Sequence, residues 1–427
     1  MRRPLSRPTT GPGQRRAGRS GAPRPPSRVN AGRLAAIRAL VAVEHGEHVE
    51  DALARLAPAA GPNRALAWHL ALGVLRSRTG LDELVRIVGR RGVSTLDPPV
   101  AAAVRVALFE LRRAGVAPHA AVDQAVEAVR ALGLPHAAGF ANAILRRSVE
   151  VPLADDAWLG HPAWLVERWR SRHGREAADA WMHANNAPAC VHLVCREDPA
   201  GVVRAFQHAG MVLVPSGPDG VFRLPAGAGA PEGWPGFAEG RWWIMDPVAV
   251  QVADLCGDIE GRTVLDTCAA PGGKSFRLAS RGARVLATDA EEARLARLRE
   301  GAARLGLAVE SRVHDWSAGA AATDADVVLV DAPCSGLGVV RRHPDIRWRR
   351  VAEDLPAFAA RQRAILRHAA GCVRPGGVLV YAVCSPEPEE GEEVAASLGW
   401  REEARLCNAP ARDGADVFQA FRLRAPG

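Results

Sequence analysis

Eight cysteines occur in the 427 residues, and two of them share a setting that the others lack. Cys334 lies in Asp331-Ala332-Pro333-Cys334-Ser335-Gly336, and Cys384 in Tyr381-Ala382-Val383-Cys384-Ser385-Pro386, which holds the chain's only tyrosine. Each follows an apolar run that reads as a buried strand, and each is followed by serine and then by a residue that turns the chain. Two thiols at neighbouring strand ends suit one chemical problem. Carbon 5 of a cytosine is too weak a nucleophile to take a methyl group, but a thiolate that adds to carbon 6 makes carbon 5 enamine-like, which is covalent catalysis. The carbon-5 proton must then leave and the thiol must be expelled, a release that a second thiol can assist. Neither cysteine has a histidine beside it in sequence to lower its pKa, although His343 could approach in space. No two cysteines are spaced C-x-x-C, so neither a zinc site nor a disulfide framework is favoured, and no metal is expected. Cys190, Cys256, Cys372 and Cys407 read as small buried apolar residues.

A second constellation is Val264-Leu265-Asp266-Thr267-Cys268-Ala269-Ala270-Pro271-Gly272-Gly273-Lys274, in which Lys274 is the chain's only lysine. An apolar run ends in an acid, passes through small residues and opens a helical pattern at Ser275. That is a strand, a tight loop and a helix N-terminus, which together turn backbone N–H groups toward a ligand. Further strand-like runs at 263–266, 283–289, 309–315 and 327–331 end on Asp266, Asp289, Asp315 and Asp331, and the run at 378–384 ends on Cys384. In an open α/β sheet such ends share one rim, where ligands bind. Asp289, about 20 residues beyond the loop, is placed to accept from a ribose diol, and Asp315 stands where an adenine edge would lie. Asp266 and Asp331 flank the centre and suit an ammonium or a bound water. The four acids together describe a cationic nucleoside such as S-adenosylmethionine, although each alone is equally a helix cap. The stretch from Cys268 to Ser275 also approaches the phosphate loop G-x-x-x-x-G-K-[ST]. Cys268 replaces its first glycine, Pro271 removes an N–H donor and Asp266 would repel a triphosphate, so an ATPase ranks below a methyltransferase.

The elements that must position these residues are legible in outline. From about Ala31 the pattern is helical, with stripes at Leu34, Ile37, Leu40, Val41, then Val49, Leu53, Leu56, then Leu66, Leu70, Val74. Gly/Pro punctuation at 61–62, 97–99, 115–118 and 133–135 divides an all-helical domain that ends near Arg147. A helical pair rich in tryptophan (Trp158, Trp164, Trp169, Trp181) comes next, with aromatics spaced as core rather than as base-stacking platforms. Short β-like runs at 191–195, 211–214, 221–224 and 242–245 around a helix at 199–208 form a small α+β module. It is either an RNA-facing platform or a docking piece for the next domain. From Gly261 strands alternate with helices at 275–280, 291–305 and 357–371, which predicts a parallel doubly wound α/β sheet, and two closing strands lie at 401–406 and 416–424. The expected divisions are residues 1–29, a disordered Arg/Pro-rich tail; 30–150, the helical domain; 151–245, the linker and module; and 246–427, the catalytic domain.

Charge adds less than its size suggests. The formal net charge of +8 sits in the tail, whose eight arginines face no acid, and the remainder balances at 47 basic against 47 acidic residues. The tail could touch phosphate or simply solubilise. Five arginines and Trp348 in Arg341-Arg342-His343-Pro344-Asp345-Ile346-Arg347-Trp348-Arg349-Arg350 come after the first cysteine motif, and their position favours binding a phosphate backbone and stacking a base. No apolar run approaches the roughly 20 residues of a membrane span. The N-terminus lacks the apolar core of a secretory signal, so a cytoplasmic protein without membrane contact is expected, and a monomer.

With these residues assembled, the chain resembles the bacterial ribosomal RNA cytosine-C5 methyltransferases of the small-subunit (16S) type, which carry a NusB-like N-terminal domain. The matching stretches are 266–274, 331–338 continuing through 341–348, 381–385, and Phe140-Ala141-Asn142-Ala143-Ile144-Leu145-Arg146 at the end of the helical domain. The resemblance implies a class I S-adenosylmethionine-dependent methyltransferase with a Rossmann-like doubly wound sheet, acting on RNA, above all 16S ribosomal RNA. By it, Cys384 is the nucleophile and Cys334 assists release. Cofactor contacts come from Cys268, Ala269, Ala270, Pro271, Gly272, Gly273, Lys274, Asp289, Asp315 and Asp331. The chain departs from the family pattern at Val383, where threonine is usual, at Gly391, where asparagine is common, and at Leu193-Val194-Cys195, where Arg-x-Asn is typical. Three other readings stand beside it: another RNA such as transfer RNA as substrate, a P-loop ATPase, and a non-catalytic RNA-binding assembly factor.

Overall fold

The computed structural model describes residues 29–224, 229–409 and 415–427, and the arginine-rich tail of residues 1–28 lies outside it. Six helices come first: α1 (Ala31–Glu44), α2 (Val49–Leu56), α3 (Arg64–Gly89), α4 (Pro98–Arg112), α5 (Pro118–Ala131) and α6 (Ala138–Ser148). Asn30 starts α1 by accepting from the Gly32 N–H at 2.8 Å, and Pro98 and Pro118 open α4 and α5 where a missing N–H costs nothing. The apolar stripes close on one core that holds Ile37, Leu40, Val49, Leu53, Leu70 and Val74, with Leu34, Val41, Leu56 and Leu66 half-buried against it.

The next two helices, α7 (Ala163–His173) and α8 (Arg175–Asn186), form a hairpin. Its buried Trp169 stacks on Trp181 at 4.2 Å, in a cluster shared with Leu337, Val340, Ile346 and Leu355 of the catalytic unit. These tryptophans are therefore core.

The module comprises β1 (Val191–Cys195), α9 (Pro199–His208), β2 (Val214–Pro215), β3 (Val221–Leu224) and β4 (Trp242–Ile244), in the antiparallel order β2-β3-β1-β4. The strand expected at 211–214 shrinks to Val214–Pro215. The Met211 N–H instead closes the end of α9 on the Phe206 carbonyl, and Val212 points into solvent. One face of the module puts Val194, Val221, Trp243 and Met245 into the core of the catalytic unit, so the structure gives it the docking role.

The catalytic unit runs through α10 (Pro247–Asp254), β5 (Thr263–Asp266), α11 (Gly273–Ser280), β6 (Arg284–Asp289), α12 (Glu292–Leu305), β7 (Val309–Val313), β8 (Ala325–Asp331), α13 (Ile346–Arg349), α14 (Asp354–Ala370), β9 (Val373–Val383), α15 (Glu392–Ala396), β10 (Arg401–Cys407) and β11 (Gln419–Arg424). Its seven strands lie in the order β10-β11-β9-β8-β5-β6-β7. Strands β5 to β9 pair in parallel, whereas β11 runs antiparallel to β9 and β10 antiparallel to β11. The strand order reverses between β5 and β8, which opens a crevice at their carboxyl ends. Val327, Val328, Leu329 and Val330 of β8 are wholly buried, as the central strand of a sheet covered on both faces must be. Strand β7 stops at Val313, two residues before Asp315, and β9 begins at Val373 and stops at Val383, which leaves Cys384 as the first residue beyond the sheet. Among the described residues no helix is long and apolar enough to cross a membrane, and no cluster of His, Cys, Asp or Glu could hold a metal ion.

Candidate active site

Parallel neighbours in register deliver two loops to one place. Asp331 pairs with Ala382 across β8 and β9, so the chain leaving each strand turns over the same edge and the two sulfurs, Cys334 Sγ and Cys384 Sγ, stand 3.3 Å apart. The hydrogen bond to Cys384, together with burial, holds the Cys334 thiol well above the ordinary pKa of cysteine. Both causes favour the neutral thiol at Cys334. His343 does not reach the thiols. It forms an ion pair with Glu50 of α2 at 3.1 Å, which keeps its pKa above the usual value although burial opposes the charge.

Beneath the thiols lies a buried polar layer that the sequence patterns did not single out. Glu390 accepts from Ser335 N at 2.7 Å, Gln362 Nε2 at 3.1 Å, Ser335 Oγ at 2.5 Å and Ser385 Oγ at 2.5 Å. The lone tyrosine, Tyr381, donates its hydroxyl to the Glu390 carbonyl. Glu387, equally buried, accepts from Trp169 Nε1, Arg168 and Arg172 of α7. A sequence signal existed: three glutamates follow Cys384 within six residues, in a stretch that must fold back under two strand ends.

The small-residue loop lies across β5. Gly272 takes φ +113°, and a Cβ there would meet the Phe276 ring at 2.5 Å, so only glycine permits this approach. Ala269 N bonds to Thr288 O and Ala270 N to the Asp289 carboxylate. A cavity beside the loop is lined by Asp266, Cys268, Ala269, Ala270, Pro271, Gly273, Lys274 and Asp331, with Asp246, Arg342, Asp416 and Phe418 opposite. Asp266 is fully buried, receives Ser275 Oγ at 2.7 Å, and leaves its Oδ1 without a partner. Burial pushes its pKa up to about 7. Burial likewise pushes the Cys268 thiol up to about 12, which marks it as a lining residue rather than a nucleophile.

Of the two acids that flank the centre of the rim, Lys274 pairs with Asp331. Lys274 Nζ lies 2.6 Å from Asp331 Oδ2 and 5.2 Å from the centre of the Phe418 ring. Burial works against its charge, but Asp331 and Asp266 hold its pKa above the ordinary value. The phosphate-loop reading fails on the same contact, because the lysine that would hold phosphate is bound to a carboxylate. Replacing Lys274 by arginine puts a broader fork into a space built for a compact ammonium. The expected result is about tenfold weaker binding of a cationic nucleoside in a calorimetric titration, and unchanged affinity would refute this.

The remaining acids divide. Asp289 is buried at the end of β6, where it accepts from Ala270 N and Glu291 N and pairs with Arg294 at 3.4 Å. Asp315 stands apart from this cluster, in an exposed turn where it accepts from Ser317 N and Oγ.

Two expectations are corrected here. The basic stretch 341–350 is not a free phosphate-binding loop but the wedge that joins the domains. Arg347 is wholly buried and donates to Gly160 O, Asn186 Oδ1, Asn185 O and Val340 O. Arg342 lies between Asp246 and Asp416. Trp348 donates to Leu75 O of α3 and lies under Arg78, and the buried Asp345 receives the Val49 N–H at the start of α2. Position along the chain pointed to solvent, but the helical domain occupies that position. Arg347→Met should cost about 3 kcal/mol of stability, since four acceptors lose their donor. Urea unfolding checks this, and a stable variant that binds RNA weakly would restore the phosphate reading. The second correction concerns Cys407 and Cys190: Cys407 is exposed on the edge strand β10 and Cys190 half-buried, whereas Cys256 and Cys372 are buried as expected.

A mixed seven-stranded sheet with an antiparallel final pair, a glycine-bearing loop after its first parallel strand and acids at the strand tips define a class I methyltransferase. Residues 257–424 match the model of the 16S rRNA methyltransferase RsmB/F family, and residues 30–150 that of the NusB family. The ribosomal RNA small subunit methyltransferase B of Cronobacter sakazakii is 33% identical over 88% of this chain and 92% of its own length. The chain belongs to this family, whose members are RNA cytosine-C5 methyltransferases. In fold it is similar to the crystal structure of PH0851, at a TM-score of 0.78 and 21% identity, covering 92% of this chain and 98% of that one. It is also similar to NSun6 from Pyrococcus horikoshii, solved with SFG, at a TM-score of 0.55 and 19% identity over 62% of this chain and 98% of that one.

Proposed function

We propose that the protein transfers a methyl group from S-adenosylmethionine to carbon 5 of a cytosine in 16S ribosomal RNA, with Cys384 as the attacking thiol and Cys334 assisting release. The observation that carries this reading is the pair of sulfurs at 3.3 Å beside the Lys274–Asp331 ion pair. The residues suit a cationic nucleoside: a buried carboxylate oxygen of Asp266 lacks a partner, and Asp289 and Asp331 bring further negative charge to the same rim. Cys268 through Lys274 with Asp266, Asp289 and Asp331 would hold it; Asp315 would join only at the outer edge. When bound, S-adenosylmethionine supplies an electrophilic methyl group. Lys274, paired with Asp331, also interacts electrostatically with Cys384, so positive charge lies within reach of the attacking sulfur. The thiolate adds to carbon 6, the pair of the 5,6 double bond shifts to carbon 5, and carbon 5 takes the methyl group, whose former bonding pair would stay on the donor sulfur so that S-adenosylhomocysteine leaves. The carbon-5 proton then leaves to water, its bonding pair restores the double bond, and the Cys384 sulfur departs as a thiolate that accepts a hydrogen bond from Cys334.

RNA is the partner, and the fully docked helical domain extends the surface available to it. Incubating the protein with labelled S-adenosylmethionine and 16S ribosomal RNA should yield 5-methylcytosine. Label only in adenine or in protein, or none in RNA, would overturn the proposal. Methylation of transfer RNA alone would keep the chemistry and replace the substrate.

A further inference from the structure

We infer that Glu390 is a positioning residue that yokes the two cysteine loops and sets the place of Cys334 for the release step. This rests on the proposed reaction and concerns a residue that touches neither thiol. Serine follows each thiol directly, and one buried carboxylate takes both serines: Ser335 through its N–H and hydroxyl, Ser385 through its hydroxyl. Ser335 Oγ and Ser385 Oγ also lie 3.2 Å apart, so the two loops meet over Glu390. Charge-assisted bonds of this kind are the strong ones.

The two thiols do not depend on this yoke equally. Cys384 directly follows β9, a strand paired on both sides, and its carbonyl is held by the Gly338 N–H at 3.0 Å. Cys334 lies three residues past β8 on an irregular turn. Besides Glu390, that turn is held by the Ala332 N–H on the Ala382 carbonyl, Gln362 Nε2 on the Pro333 carbonyl and Arg350 Nε on the Ser335 carbonyl. Gln362 Nε2 itself binds Glu390. Loss of the carboxylate therefore loosens Cys334 while the ladder keeps Cys384 in place. Attack and methyl transfer persist, and expulsion of Cys384 slows.

Three variants test this in the full-length protein with 16S ribosomal RNA and labelled S-adenosylmethionine. Glu390→Asp keeps the charge but is one methylene too short to span both serines. Glu390→Gln keeps the length, accepts with its oxygen and offers its amide to the serine oxygens. Ser335→Ala removes one strut on the Cys334 side alone and leaves the Ser335 N–H on Glu390. Glu390→Asp and Ser335→Ala are expected to keep first-turnover methylation near the wild-type level while steady-state turnover falls about 10- to 100-fold. The covalent RNA adduct, read on a denaturing gel, should rise accordingly, and Glu390→Gln should restore most turnover. The inference is overturned if both variants behave as wild type, or if first-turnover and steady-state rates fall in parallel with no adduct. Should Glu390→Asp fail to fold, Ser335→Ala decides. A wild-type protein that makes no 5-methylcytosine would instead sink the proposed reaction, so the two failures are separable.

Discussion

Cys384→Ala will lower methyl incorporation into RNA by at least about 10³-fold and leave no covalent RNA adduct. The size follows from what the thiolate does. Without addition at carbon 6, carbon 5 keeps its aromatic character and the methyl donor meets no adequate nucleophile, so no other group in the cavity takes over part of the work. Alanine is accommodated, because the sulfur lies past the last ladder residue of β9 and is half-buried. Binding of S-adenosylmethionine, measured by calorimetry, should therefore stay within about twofold. Retained turnover in this variant, with loss in Cys334→Ala, would reverse the assignment of roles.

Cys334→Ser should give the opposite signature, an enzyme that starts the reaction and does not finish it. The first turnover proceeds, steady-state turnover falls by about 10²-fold or more, and protein cross-linked to RNA accumulates on a denaturing gel. The reason lies in the geometry of the pair. A sulfur at 3.3 Å is close enough to hydrogen-bond the departing Cys384 thiolate, and its own pKa, raised by that bond and by burial, keeps it protonated for the task. Serine shortens the reach by the difference between a C–O and a C–S bond and offers a weaker acid. Normal turnover without an adduct would show that release needs no second group.

The sequence carried a large share of this outcome, for identifiable reasons. The helical stripes from Leu34 to Val74 and the apolar runs at 263–266 and 327–331 were legible because burial on one face, or on both, imposes its period on the residue types. The cysteine loops and the glycine-bearing loop were legible because local geometry demands them: Gly272 at positive φ against Phe276 admits no other residue. Errors fell where identity alone leaves the partner open. The run at 341–350 looked like a basic surface loop, yet Arg347 is buried, and Arg342 and Trp348 half-buried, by elements up to 273 residues away in the chain. An arginine reads the same in sequence whether it meets phosphate, a pair of carboxylates as Arg342 does, or backbone carbonyls as Arg347 does.

What the sequence determined by itself is therefore the chemistry on offer: two thiols each followed by serine, one lysine after a small-residue loop, and acids at strand ends. Only the tertiary structure decided how these groups are used. It chose Asp331 over Asp266 for Lys274, turned His343 away from the thiols toward Glu50, left Asp315 in an exposed turn, and bound both cysteine loops to Glu390. The physical reason is that spacing along a chain fixes which groups share an element or a sheet edge. Which acid meets which base depends on the crossing of elements distant in sequence, where burial makes every unpaired polar group costly and so selects one pairing.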